Sequence, residues 1–112
     1  MIDACLESLR TRLTALHESS DGTVRTYLQH TLDAIHKFSV LLEDARARGR
    51  TDNREIVHDL RSPLNAMIGF TSMLLTDDHD LTADQREEIG ALNALARQLN
   101  HEVDAQYPKS PE

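Results

Sequence analysis

The segment richest in chemistry is Arg54-Glu55-Ile56-Val57-His58-Asp59-Leu60-Arg61-Ser62-Pro63-Leu64-Asn65-Ala66-Met67-Ile68-Gly69-Phe70. Leu60, Leu64, Met67, Thr71 and Leu74 recur at the three- and four-residue steps of one helical face. His58 precedes Leu60 by a rotation of about 200°, so it points away from that stripe. Arg61, Ser62, Asn65, Gly69 and Ser72 fall on the same outer face as His58. One imidazole therefore stands on a polar strip with a cation, a hydroxyl, an amide and a small residue, and Asp59 follows it in sequence. A neutral imidazole keeps one nitrogen lone pair for nucleophilic attack. Pro63 lies inside the same apolar pattern. Proline there withholds the backbone donor that the carbonyl of Asp59 would normally receive, and costs about 3 kcal/mol. The pattern continues past it, so the helix is expected to bend at Pro63 and not to stop.

The elements that position this strip are helical throughout. Ile2, Leu6, Leu9, Leu13 and Leu16 form one stripe. Val24, Leu28, Thr31, Ile35, Phe38, Leu42 and Ala45 form a second, after a break at Ser19-Ser20-Asp21-Gly22-Thr23. The second helix is expected to end near Gly49, with Arg46, Arg48 and Arg50 set against its dipole. Asp52 with Glu55 offers a capping-box variant for the third helix, which carries Ile56 or Val57 into the core and ends before the polar run Thr76-Asp77-Asp78-His79-Asp80. Thr82 with Gln85, and Leu81 as a staple, start a fourth helix through Ile89, Leu92, Leu95 or Ala96, Leu99 and Val103. The expected fold is all-α, a four-helix antiparallel bundle. Its helical hairpin of residues 1–50 precedes a long hairpin of residues 51–105 and a loose tail, 106–112. The long hairpin's exposed apolar face must be covered either by the first hairpin or by a second copy of the chain.

Composition agrees. The chain has 112 residues, 19 acidic and 12 basic side chains, and a formal net charge of -7. That length suits one domain, and the acidic balance argues against a general nucleic-acid binder. Aromatics are 4% and Gly and Pro are few, which disfavours a sandwich or barrel. A single cysteine, Cys5, excludes an internal disulfide and fits a reducing compartment. No apolar run is long enough to span a membrane and no signal peptide is evident, so a cytoplasmic location is expected. His17, His30, His36, His79 and His101 show no paired ligand spacing, so no metal site is expected. Asp77, Asp78, Asp80, Asp84, Glu87 and Glu88 make one end of the long hairpin acidic. The arginines around Gly49, with Arg54 and Arg61, bias the His58 end towards positive charge.

His58-Asp59-Leu60-Arg61-Ser62-Pro63-Leu64-Asn65 resembles the H-box of bacterial sensor histidine kinases. Residues 52–105 are similar to the dimerisation and histidine phosphoacceptor domain of that family, and Leu81-Thr82-Ala83-Asp84-Gln85-Arg86 to the start of its second helix. The resemblance implies that His58 is the phosphoacceptor and that Asp59 orients its other ring nitrogen and assists proton movement. It implies that Arg61 steadies phosphate charge. Ser62 falls where many members carry Thr or Asn to position a water for dephosphorylating a response regulator, and serine is a departure there. Pro63 matches the family's helix bend. Arg61, Asn65, Gly69 and Ser72, with fourth-helix residues, would form the docking face for a response regulator.

The sequence reads as a whole gene product in which no ATP-binding domain follows the hairpin. The expectation is therefore a phosphotransfer protein of two-component signalling. His58 would take its phosphoryl group from a kinase domain in trans, or exchange it with a response-regulator aspartate, without a cofactor of its own. A homodimer through the last two helices is the expected assembly, with a monomer closed by the first hairpin as the other arrangement. The alternative function is a non-catalytic adaptor or decoy that binds a kinase or response regulator by imitating the phosphoacceptor hairpin.

Overall fold

The computed structural model describes residues 2–49, 52–76 and 81–108. Four helices account for nearly all of them: α1 (Ile2–Ser19), α2 (Gly22–Ala47), α3 (Asn53–Thr76) and α4 (Ala83–Gln106). No strand occurs among the described residues. Each helix packs against two neighbours in the cyclic order α1, α2, α3, α4, with α1 closing the ring on α4. The expected four-helix antiparallel bundle is therefore closed within a single chain.

The four stripes meet along the bundle axis. Leu13, Leu28, Phe38, Leu64, Met67, Leu74, Ile89, Leu92, Leu99 and Val103 have no measurable exposure. Where the pattern left a choice, both Ile56 and Val57 are buried, and Ala96 is buried while Leu95 packs at the margin. Val24 also sits at the margin. Thr31 and Thr71 can join apolar stripes because their hydroxyls donate to the carbonyls of Tyr27 and Met67, both at 2.8 Å, so burial leaves no unpaired polar group. Cys5 is buried beside Leu6 and its thiol donates to the Leu95 carbonyl at 3.3 Å.

Helix ends follow their local chemistry. The break between the first two helices is shorter than the polar run suggests, because only Ser20 and Asp21 lie outside them. Gly22 adopts φ 61°, which lets the chain reverse at once. Ser20 is buried, and its hydroxyl caps the Leu16 carbonyl at 2.7 Å. At the other end of α2, Gly49 takes φ 60° and its N–H donates to the Arg46 carbonyl. Asp52 caps α3, its Oδ1 accepting from the backbone N–H groups of Arg54 and Glu55. Thr82 and Gln85 form a full reciprocal capping box on α4. Helix α3 runs unbroken through a buried Pro63. The acidic run 77–80 and the last four residues of the expected tail lie outside the described residues, and α4 extends through Gln106.

Candidate functional site

Helix α3 is anchored by its buried face, so the opposite face is fixed in direction. His58 is set one turn into the helix and its side chain is 88% exposed. Nothing in the bundle covers the ring. Its Nδ1 lies 3.9 Å from Oδ1 of Asp59. That is too long for a hydrogen bond, though it puts a carboxylate on the Nδ1 side of the ring.

The strip below His58 divides into two parts. Ser62 and Asn65 are exposed, while Gly69 and Ser72 are half-buried. A Cβ added to Gly69 would meet no atom within 4 Å, so internal packing does not demand glycine there and the surface beside it lies open. Ser72 turns towards α4, where its Oγ accepts from Nδ2 of Asn93 at 3.0 Å. The same Asn93 amide donates to Thr71 Oγ1 and to the Ile68 carbonyl, and its Oδ1 accepts from Nε of Arg97. This knot sets α3 and α4 in register behind the strip.

Arg61 is not a free cation. Its Nη2 donates to Oδ1 of Asp104 on α4 at 2.9 Å, while its Nε is buried without a partner. Three arginines at this end are matched by carboxylates: Arg46 by Asp3, Arg48 by Asp44 and Arg61 by Asp104. The Arg46 guanidinium holds the Asp3 carboxyl below its ordinary range. The positive bias expected from sequence is thus partly neutralised, for Arg48 by a neighbour one turn away and for Arg46 and Arg61 by carboxylates that the fold brings up. Arg50 lies outside the described residues, and the guanidinium of Arg54 makes no ion pair or hydrogen bond among them. At the opposite end, Glu88 is paired with Arg12 at 2.7 Å.

Sequence reasoning puts His58 and the strip on one outer face and counts Arg54 among the cations of that end, but it misses Asp104 and Asn93. Asp104 and Asn93 are distant in sequence and carry no local signal. Arg54 is legible by its position four residues before His58. Among the described residues no group of three His, Cys, Asp or Glu side chains is arranged to hold a metal ion.

Residues 53–105 match the His Kinase A (phospho-acceptor) domain family. That stretch, just under half of the chain, takes in α3 and nearly all of α4 and makes the hairpin similar to this family. The signal transduction histidine-protein kinase BarA of Escherichia coli K12 is 28% identical over 109 residues, which cover 88% of this chain and 12% of that protein. BarA of Escherichia coli O157:H7 and of Shigella flexneri show the same identity and coverage. The chain thus spans about an eighth of the length of these curated relatives. The likeness also reaches beyond the hairpin into α1 and α2, where the sequence itself shows no motif. No solved structure gives a significant match. The matched stretch contains His58 and both helices of the hairpin.

Proposed function

We propose that this protein carries a phosphoryl group on His58 and passes it to or from a response-regulator aspartate, or receives it from the ATP-binding domain of a histidine kinase. The observation that carries the reading is the exposed His58 ring on a phosphoacceptor hairpin, with Nδ1 turned towards Asp59. Asp59 holds the Nδ1 proton, and Nε2 attacks phosphorus. Ser62, exposed one turn below, lies where it could position a water for phosphohistidine or aspartyl-phosphate hydrolysis. Arg61, Asn65, Gly69 and Ser72 form the docking strip, and the open space at Gly69 leaves room for a partner side chain. No helix among the described residues is long and apolar enough to cross a membrane. With its buried thiol, the chain is read as cytoplasmic.

The test is phosphate incorporation from a panel of phosphorylated response regulators, and from isolated kinase ATP-binding domains with ATP. Acid-labile, alkali-stable phosphate is expected on the wild type and not on His58→Ala. Gly69→Gln is expected to keep the fold and lose transfer from protein donors. Binding without phosphate, retained by His58→Ala, would overturn the relay and mark an adaptor or decoy.

A further inference from the structure

Beside His58 lies a hollow of about 230 Å³ lined by Arg54, Val57, His58 and Arg61. The four residues stand at i−4, i−1, i and i+3 about the histidine, and at ~100° per residue all three neighbours fall on the same side of it, the side towards α4. Asp59, one step later, falls on the opposite side. The floor is Val57, which is buried. Arg61 is held on the α4 side by Asp104. Arg54 occupies the other rim, and it is the arginine at this end that no carboxylate among the described residues engages. The site is therefore one-sided: a carboxylate on the Nδ1 flank of the ring and two guanidinium groups on the other.

From this placement we propose that Arg54 is a phosphoryl-binding residue, which grips the group while it moves onto His58. The proposal rests on His58 being the phosphoacceptor. A guanidinium fork matches two phosphate oxygens at once. Charge on a transferring phosphoryl group is spread over its equatorial oxygens, where such a fork acts. Arg61 cannot fill this role alone, since part of its fork is spent on Asp104. An unpaired arginine keeps its donors for an incoming anion and gives up no ion pair on binding it.

Phosphoramidate, a small phosphoryl donor, separates this role from partner docking. The Nε2 lone pair of neutral His58 forms the new N–P bond as the donor's P–N bond breaks. Ammonia leaves with the bonding pair, and the ring keeps its Nδ1 proton. The full-length chain, Arg54→Gln, Arg54→Lys and His58→Gln are treated with the donor, and phosphate resolved on His58 is followed with time by mass spectrometry and ³¹P NMR. Arg54→Gln is expected to slow the initial rate about 5-fold, with the difference shrinking at high salt as screening grows. Arg54→Lys, which keeps charge without the fork, should recover part of the rate; a merely structural loss would not respond to charge or salt. Equal rates for the wild type and Arg54→Gln would overturn the proposal and leave His58 as phosphoacceptor. No phosphate on His58 of the wild type would overturn both.

Discussion

At the residue scale the proposed phosphoacceptor is a histidine that the fold leaves uncovered and flanks unequally. Asp59 is the closest carboxylate shown to approach its ring, at 3.9 Å from Nδ1. If its role is to hold the Nδ1 proton, Asp59→Asn keeps the shape and removes the charge. The rate of phosphorylation of that variant by phosphoramidate should then fall by about tenfold or more, the low end of general acid–base effects. Unchanged kinetics would leave Asp59 a surface residue. The choice of His58 is legible in sequence because its face is set by arithmetic on Leu60. Its electrostatic setting is not, because Asp104, which takes up Arg61, is delivered by a different helix. Counting arginines near His58 predicts a basic end; pairing them in three dimensions leaves Arg54 among the described residues.

At the scale of elements, periodicity places all four helices, because each stripe is buried by its neighbours, and side-chain caps at Asp52 and Thr82 fix the starts of α3 and α4. What escapes the pattern is side-chain bonding between helices, as at Asn93, where spacing gives no signal. Pro63 poses a separate question of balance. The ring is buried in α3, so it contributes packing as well as cost. Replacing it with alanine restores a backbone donor and removes a steric conflict, together about 3 kcal/mol. Losing two buried methylenes costs ~1.6 kcal/mol. The expected net for Pro63→Ala is a stabilisation of about 1 kcal/mol, read as a higher midpoint in urea with an unchanged slope. A lower midpoint would mean that the pyrrolidine ring is a packing element first. If the proline serves His58 by loosening the backbone at Asp59, the same variant should be more stable yet a slower phosphoacceptor.

At the scale of the whole molecule, the question is what covers the apolar face of the α3–α4 hairpin. In this chain α2 lies against α3 and α1 against α4, the faces through which a second hairpin would pack. Pulling α1 away would expose Ile2, Leu6, Leu9, Leu13 and Leu16, all buried. At ~1.5–3 kcal/mol for each large apolar side chain, that loss approaches the ~5–15 kcal/mol that a domain has in total. A dimer through α3 and α4 is therefore reached by exchange, in which each chain's first hairpin covers its partner and every contact is remade. The hinge for such exchange is the link between α2 and α3, and Gly49 at φ 60° holds the reversal there. Light scattering at micromolar concentration should give the mass of one chain, 12.6 kDa. Gly49→Ala, strained at that φ, should shift the population towards twice that mass. A wild type that already runs as a dimer, and dissociates only on unfolding, would show that exchange or a second surface completes it. One exposed His58 per assembly would then become two.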